Sequence, residues 1–185
     1  SIYGSTVTIV GMGDIGSNFG RRLKAMGATV RGVRRTVREK PDWADQVYPV
    51  ERLNEALAGA DVVALCLPGT ESTRGILGQA QFDAMAPGTY VINVGRGTAI
   101  DQQALDRALR SGRLAGAALD VATPEPLPQD HFLWDTPNLL LTPHVSGNMS
   151  LPRTCELVIE IFLRNLAHWE KGEPLEHQVD RAQGY

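Results

Sequence analysis

Cysteine is scarce in this sequence. The chain has 185 residues and only two cysteines, Cys66 and Cys155, which lie far apart and in no spacing typical of a metal site. A disulfide-rich fold and a structural zinc site are therefore excluded. We expect a reduced, cytoplasmic protein with two buried thiols and no bound metal. The length favours one domain with a full hydrophobic core.

Long apolar runs are also absent, and no charge of one sign dominates. The longest apolar run, 62–67, has six residues, whereas a membrane-spanning helix needs about 20. Basic and acidic residues number 18 and 21, which leaves a net charge of −3. Neither a membrane nor a nucleic acid is therefore an expected partner.

The basic residues nevertheless concentrate in one segment. Residues 21–40 hold eight of the 18: Arg21, Arg22, Lys24, Arg31, Arg34, Arg35, Arg38 and Lys40. A nucleic-acid patch is one interpretation. Because the segment directly follows a glycine-rich turn, a solvated helix face combined with a phosphate pocket is more economical.

Short β-branched runs alternate with helical patterns along the chain. Strands are predicted at 7–10, 29–33, 62–67, 90–94, 114–119 and 139–142, and helices at 15–26, 51–58, 79–85, 101–112 and 151–169. This alternation implies parallel pairing through right-handed crossovers. We predict an α/β fold, a Rossmann-type doubly wound parallel sheet in a single domain, with active residues at the carboxyl ends of the strands.

The first predicted strand runs straight into Gly11-Met-Gly13-Asp-Ile-Gly16 and then into a helix. Gly11 permits the tight turn, Gly13 lets the backbone approach a pyrophosphate, and Gly16 allows close packing of helix on strand. Glycine also serves ordinary turns, but this strand–turn–helix context favours dinucleotide binding. The side chain of Asp14 must point outward, which leaves its backbone N–H for the anion.

The end of the second predicted strand bears on the choice of cofactor. NAD-binding sheets usually carry an acid there, which accepts the ribose hydroxyls, but this sequence has Arg34, Arg35 and Thr36. A guanidinium matches a phosphate bidentately, and a carboxylate would repel it. We therefore predict NADP(H), with NAD as the alternative if these arginines are solvated loop residues.

Three further motifs stand at predicted strand ends: Asn93-Val-Gly-Arg96-Gly97, Leu119-Asp120-Val121 with Glu125-Pro126, and Thr142-Pro-His144-Val-Ser-Gly147. With the glycine turn, this ordered set resembles the D-isomer-specific 2-hydroxyacid dehydrogenase family. The resemblance implies that 1–185 is the family's NAD(P)-binding domain, with a C-terminal helix and tail at 150–185 and the N-terminal substrate domain outside this sequence. It also implies a homodimer.

The resemblance implies a role for each motif. Arg96 would bind the substrate carboxylate and keto oxygen, His144 would be the general acid/base, and Glu125 would be its partner. Asp120 would hold the nicotinamide carboxamide, although it is also a rival partner for His144. The whole predicted cofactor-binding set is Gly11, Gly13, Asp14, Ile15, Gly16, Arg34, Arg35, Thr36, Leu67, Pro68, Thr73, Val94, Gly95, Arg96, Asp120, His144 and Gly147.

These residue types suit the reduction of a 2-keto acid. Imidazole can give and regain a proton near neutrality, and arginine's parallel donors orient a carboxylate. The resemblance implies an oxidoreductase domain for a small 2-keto acid of the glyoxylate or hydroxypyruvate type, giving the D-2-hydroxy acid. This domain alone should turn over poorly, because the family's cleft lies between two domains. The alternatives are an NAD-dependent D-2-hydroxyacid dehydrogenase and a non-catalytic nucleotide-sensing module.

Overall fold

The computed structural model describes residues 1–36, 39–147, 149 and 151–181. They belong to two compact units, Ser1–His144 and Val145–Tyr185. The first unit contains the sheet and every predicted site residue except Gly147, which belongs to the second. Each unit is described by itself below.

A parallel sheet forms the centre of the first unit. Within the described residues seven strands pair in the order β3-β2-β1-β4-β5-β6-β7, and every neighbouring pair is parallel. The strands are β1 (Thr6–Val10), β2 (Thr29–Arg34), β3 (Gln46–Pro49), β4 (Val62–Leu65), β5 (Thr89–Asn93), β6 (Leu114–Leu119) and β7 (Leu139–Leu141). The strand order reverses direction between β1 and β4, where such sheets open a crevice at their carboxyl edge. The predicted Rossmann-type fold is confirmed.

Four helices connect the strands of this unit in its described part: α1 (Asp14–Ala25), α2 (Leu53–Leu57), α3 (Gln79–Ala84) and α4 (Gln102–Arg110). Asp101 is the N-cap of α4, and its carboxylate accepts the backbone N–H groups of Gln103 and Ala104 at 3.0 Å each. This cap satisfies two donors that a helix start otherwise leaves unpaired. The first residue of α4 is thereby held in a defined position.

The side chains of β1 alternate between two apolar clusters, which cover the two faces of the sheet. Ile9 packs with Leu23 of α1, whereas Val10 belongs to the larger cluster that includes Leu57 of α2 and Leu105 of α4. Burial on both faces explains the nearly continuous apolar runs of the central strands. Packing thus fixes both faces of the sheet, and loops lie at its carboxyl edge.

Some predicted boundaries differ from the structure. The edge strand β3 was not predicted, because it is short and combines polar Gln46 with Pro49. Strand β4 ends at Leu65, two residues before its predicted end, and Cys66 begins the following loop. The prediction of two buried thiols is wrong, because Cys66 and Cys155 are both only half-buried.

The described part of the second unit includes α5 (Pro152–Lys171) and the tail that follows it. Gly172 caps the C-terminus of the helix, and its φ of +69° suits glycine. The tail folds back on the helix, since the Glu176 N–H donates to the Asn165 side chain at 2.7 Å and Arg164 pairs with Glu176 at 3.0 Å. Of the helices in the described ranges, none is long and apolar enough to cross a bilayer.

Candidate active site

The glycine turn joins β1 to α1 in a tightly packed arrangement. Gly11 has φ +104°, and its N–H donates to the Val33 carbonyl oxygen at 3.0 Å. A Cβ at Gly16 would lie 2.0 Å from the Gly11 carbonyl oxygen and 3.1 Å from Ile9. A Cβ at Gly11 would lie 2.6 Å from the Cys66 carbonyl oxygen. Because the clashing atoms at both glycines are backbone atoms, neither position can accept a side chain. The close approach of helix to strand that the sequence indicated for Gly16 is present.

Gly13 differs from its two neighbouring motif glycines. It is the N-cap of α1 and is exposed, and a Cβ placed on it would meet nothing within 4 Å. The exposed Asp14 carboxylate accepts a hydrogen bond from the Asn18 side-chain amide at 3.0 Å. The start of α1 thus offers open space beside the N–H groups that a helix N-terminus directs at an anion. Ile15 in the same turn is also exposed.

Strand β2 ends beside the glycine turn. The contact between Gly11 and Val33 brings the next residues, Arg34, Arg35 and Thr36, to the side of that turn. Arg34 is half-buried, and Arg35 and Thr36 are exposed. This segment carries positive charge where an acid would otherwise receive a ribose.

The loops after β4 and β5 pack directly against each other. A Cβ on Gly95 would lie 2.6 Å from the Leu67 carbonyl oxygen, and one on Gly69 would lie 3.1 Å from Arg96 Cγ. The Val94 N–H, at the end of β5, donates to the Leu65 carbonyl oxygen at 3.2 Å. The stem of Arg96 is therefore supported by the backbone of the neighbouring loop.

Thr73 holds the loop after β4 in shape. Its hydroxyl donates to the Pro68 carbonyl oxygen at 2.7 Å and accepts the Thr70 N–H at 3.0 Å. Both Pro68 and Thr73 are half-buried. Two of the three predicted residues of this loop are thus brought together by one hydrogen bond.

Asn93 shapes the turn that carries Arg96. Its side chain is fully buried, with its oxygen accepting the Gly95 N–H at 3.0 Å and its amide donating to the Arg96 carbonyl oxygen at 3.0 Å. Sequence reasoning gave Asn93 no role, although it begins the quoted motif. A buried amide at a strand end was the signal that could have identified it.

Asp120 lies at the end of β6 and binds the segment that leads to His144. Its carboxylate is 6% exposed and accepts the Thr142 hydroxyl at 2.5 Å. Its carbonyl oxygen accepts the His144 N–H at 2.8 Å. Asp120 and His144 are thus joined by a hydrogen bond between their backbone atoms.

The imidazole of His144 pairs with Glu125. Nδ1 lies 2.9 Å from Glu125 Oε2, and the two side chains are 50% and 38% exposed. Glu125 Oε1 accepts the Ala122 N–H at 2.8 Å. His144 has φ +55°, a left-handed conformation that is uncommon for a residue with a side chain and that concentrates at functional sites.

Electrostatics keep the Glu125 carboxylate ionised. Burial raises the pKa of Glu125, but the hydrogen bonds from His144 and Ala122 and the positive charges of His144 and Arg96 outweigh it, so that the pKa lies below its ordinary value of 4.5. The charge of Arg96, the third predicted catalytic residue, therefore also acts on the Glu125 carboxylate.

The structure therefore collects the predicted residues of the first unit along one sheet edge, where β1, β2, β4, β5, β6 and β7 end. Gly147 is exposed and belongs to the second unit. An ionised carboxylate only accepts hydrogen bonds, so Nδ1 of His144 carries the hydrogen between it and Glu125. The opposite ring nitrogen, Nε2, is then available to exchange a proton with a ligand.

Comparison with known proteins shows the family of this chain. Residues 1–146 match the family model of the NAD binding domain of D-isomer specific 2-hydroxyacid dehydrogenases. Glyoxylate/hydroxypyruvate reductase A of Salmonella typhi is 37% identical over 180 residues, which are 97% of this chain and 56% of that protein. The chain thus spans little more than half the length of such curated relatives.

Solved structures give the same result. A D-isomer specific 2-hydroxyacid dehydrogenase from Xanthobacter autotrophicus Py2, in complex with NADPH and MES, superposes with a TM-score of 0.88 at 37% identity, covering 98% of this chain and 73% of that one. An NADPH-dependent glyoxylate/hydroxypyruvate reductase from Sinorhizobium meliloti, with NADP and sulfate, has a TM-score of 0.88 at 35% identity, covering 98% and 57%.

Proposed function

Because this chain belongs to the D-isomer specific 2-hydroxyacid dehydrogenase family, as its NAD binding domain, we propose that it is the cofactor half of an NADP(H)-linked 2-keto acid reductase. The observation that carries the proposal is the pair formed by His144 and Glu125 at 2.9 Å, on the same sheet edge as the glycine turn and Arg96. This reaction needs a proton donor, a group that binds the substrate carboxylate and a site that binds the dinucleotide.

The residues at the start of α1 fit a dinucleotide. Gly13 leaves room for a pyrophosphate, and the N–H groups of the first helical turn face it. Arg34 and Arg35 would hold a 2′-phosphate on the adenosine ribose, and Leu67 and Pro68 would pass beside the adenosine. When bound, the nicotinamide supplies the hydride that reduces the keto carbon.

His144, Glu125 and Arg96 would divide the remaining chemistry. Arg96 would bind the substrate carboxylate through two parallel N–H donors, which also fixes the orientation of the keto group. His144 would donate a proton from Nε2 to the developing alkoxide, while Glu125 holds Nδ1 and stabilises the imidazolium. Asp120 would bind the nicotinamide carboxamide, and Gly147 would lie near the cofactor.

NADP(H) is the proposed cofactor for two reasons. Residues 34–36 contain two arginines and no acid, and a guanidinium binds phosphate bidentately. In addition, two similar proteins were crystallised with NADPH or NADP. The proposed substrate, a small 2-keto acid of the glyoxylate or hydroxypyruvate type, follows the names of such relatives.

Calorimetric titration of NADPH and NADH into this chain tests the proposal. We expect NADPH to bind more tightly, and Arg34→Asp to weaken NADPH by about 10- to 100-fold, the value of one or two charge-assisted hydrogen bonds. NADH binding should change little. Arg21→Asp is the matched control, because it makes the same charge change on the exposed face of α1. Equal affinities of the wild type for both cofactors would contradict the NADP(H) assignment.

A homodimer and a cytoplasmic location complete the proposal. The homodimer is inferred from the family, and the many exposed apolar side chains of α5, among them Phe162 and Trp169, would support association. Two free thiols suit a reducing compartment. Light scattering of the purified chain tests the dimer, since a monomeric mass at micromolar concentration would refute it.

A further inference from the structure

One side chain outside the predicted site holds the loop that carries Glu125. The Gln102 amide donates from Nε2 to the Thr123 carbonyl oxygen at 2.6 Å, and its Oε1 accepts the Thr123 N–H at 2.8 Å. Both backbone groups of one loop residue are thus bound by a single amide. Gln102 lies 21 positions before Thr123, so this contact joins distant parts of the chain.

Gln102 is well placed to act as an anchor. It is the first residue of α4, directly after the N-cap Asp101, and the helix buries Ala104 and Leu105 against the core. The helix start therefore has little freedom. By contrast, Thr123 and Glu125 are exposed, so apolar burial contributes little to holding them in place.

The bound residue lies within the short turn that shapes Glu125. Ala122 donates its N–H to Glu125 Oε1 at 2.8 Å, and Thr123 follows it immediately. On the other side, Gly97 lies so close that a Cβ there would be 2.0 Å from the Ala122 carbonyl oxygen. The start of the turn is thus packed against Gly97 and its next peptide groups are bound by Gln102. Fixing both leaves Glu125 Oε2 directed at His144.

We propose that Gln102 is a positioning residue, which holds the 122–125 turn so that the Glu125 carboxylate meets the His144 imidazole. The inference rests on the proposed acid–base role of that pair. Gln102 itself is not expected to touch substrate or cofactor. Its amide is required because a carboxylate could accept from the Thr123 N–H but could not donate to the carbonyl oxygen.

The test replaces Gln102 with methionine, which keeps the length and helix propensity of the side chain but removes both hydrogen bonds. Gln103→Met is the matched control, because Gln103 is the next residue, is exposed, and engages Asp101 through its backbone. The readout is the pKa of Glu125, followed by carbon-13 NMR of labelled glutamate and assigned by comparison with Glu125→Gln.

We expect the Glu125 pKa to rise in Gln102→Met, since the turn would no longer hold the carboxylate against its two hydrogen-bond donors. Amide hydrogen exchange at Thr123 should accelerate in the same variant, and Gln103→Met should match the wild type in both measurements. An unchanged Glu125 pKa in Gln102→Met, or an equal rise in Gln103→Met, overturns the proposal. Thermal unfolding verifies that both variants remain folded.

NADPH titration of the same samples separates this inference from the proposed function. We expect Gln102→Met to bind NADPH as the wild type does, because Gln102 belongs to no cofactor-binding loop. Failure of the wild type to bind NADPH would contradict the proposed function, whereas the NMR result would still decide whether Gln102 positions Glu125.

Discussion

The Thr142 hydroxyl donates to the buried Asp120 carboxylate at 2.5 Å. This bond ties the end of β6 to the segment that follows β7, and the Asp120 carbonyl oxygen adds a second tie to the His144 N–H. The backbone that carries the imidazole is therefore secured to the adjacent strand end. His144 lies three residues after the end of β7. It can hold its left-handed conformation because these bonds constrain it.

Replacing Thr142 with valine should destabilise the domain. The substitution preserves shape but leaves the buried Asp120 carboxylate without this donor, which we expect to cost about 1–3 kcal/mol. Thr142→Ser keeps the hydroxyl and should lose much less. Urea unfolding measures the free energy of unfolding of the two variants. Equal values for Thr142→Val and Thr142→Ser would show that the hydrogen bond contributes nothing to stability.

Substitutions at two glycines of the Gly11 motif should separate stability from cofactor binding. Gly16→Ala places a Cβ 2.0 Å from the Gly11 carbonyl oxygen, a backbone atom, so we expect overpacking to cost about 1–3 kcal/mol or more. Gly13→Ala meets nothing within 4 Å and has φ −75°, so its cost should stay below about 1 kcal/mol.

The same Gly13→Ala variant should nevertheless bind NADPH poorly. Its methyl group would occupy the space assigned to the pyrophosphate, and loss of one charge-assisted hydrogen bond weakens affinity by about tenfold or more. Thermal unfolding and calorimetric titration on one preparation check both parts. A folded Gly13→Ala variant with wild-type affinity would show that the pyrophosphate does not lie at this turn.

The lowered pKa of Asp45 predicts that the domain loses stability in acid. The hydrogen bond from Lys24, then that from the Val30 N–H, hold the pKa of Asp45 below its ordinary 3.8, and burial only partly opposes them. A carboxyl whose pKa is lowered by folding stabilises the native state above its unfolded pKa, and this contribution is lost as pH falls through the folded value.

Asp45→Asn should therefore flatten the pH dependence of unfolding below about pH 4, and Lys24→Met should flatten it in part. Urea unfolding between acid and neutral pH measures the slope. A wild-type slope in Asp45→Asn would assign the acid sensitivity to other carboxylates.

Cys66 should react slowly with alkylating reagents. Burial raises the pKa of its thiol to about 11, so only about 0.1% is thiolate at pH 8. In a Cys155→Ser variant, the rate with iodoacetamide should rise about tenfold per pH unit between pH 8 and 10. Mass spectrometry follows the modification, and a rate that levels off below pH 9 would disprove the raised pKa.

Sequence patterns were sufficient for the fold class, and they predicted a candidate site at the carboxyl edge of the sheet. Alternating runs, the strand–turn–helix context of the Gly11 motif and the motifs around Arg96 and His144 all identified the carboxyl edge. These signals succeed because hydrophobic periodicity, helix caps and glycine turns depend on residues that are close in sequence. The family resemblance and the Rossmann-type sheet are both confirmed.

Only the tertiary structure decided which side chains meet. Sequence left Glu125 and Asp120 as rival partners of His144, and the fold brings the imidazole to Glu125 and the His144 N–H to the Asp120 carbonyl oxygen. Gln102 carried no signal at all, because its contact spans 21 positions. Such pairings follow from strand register and from the path of exposed loops, which are set by packing across the whole sheet. The local pattern, by contrast, determines only which segments form most of the strands and helices.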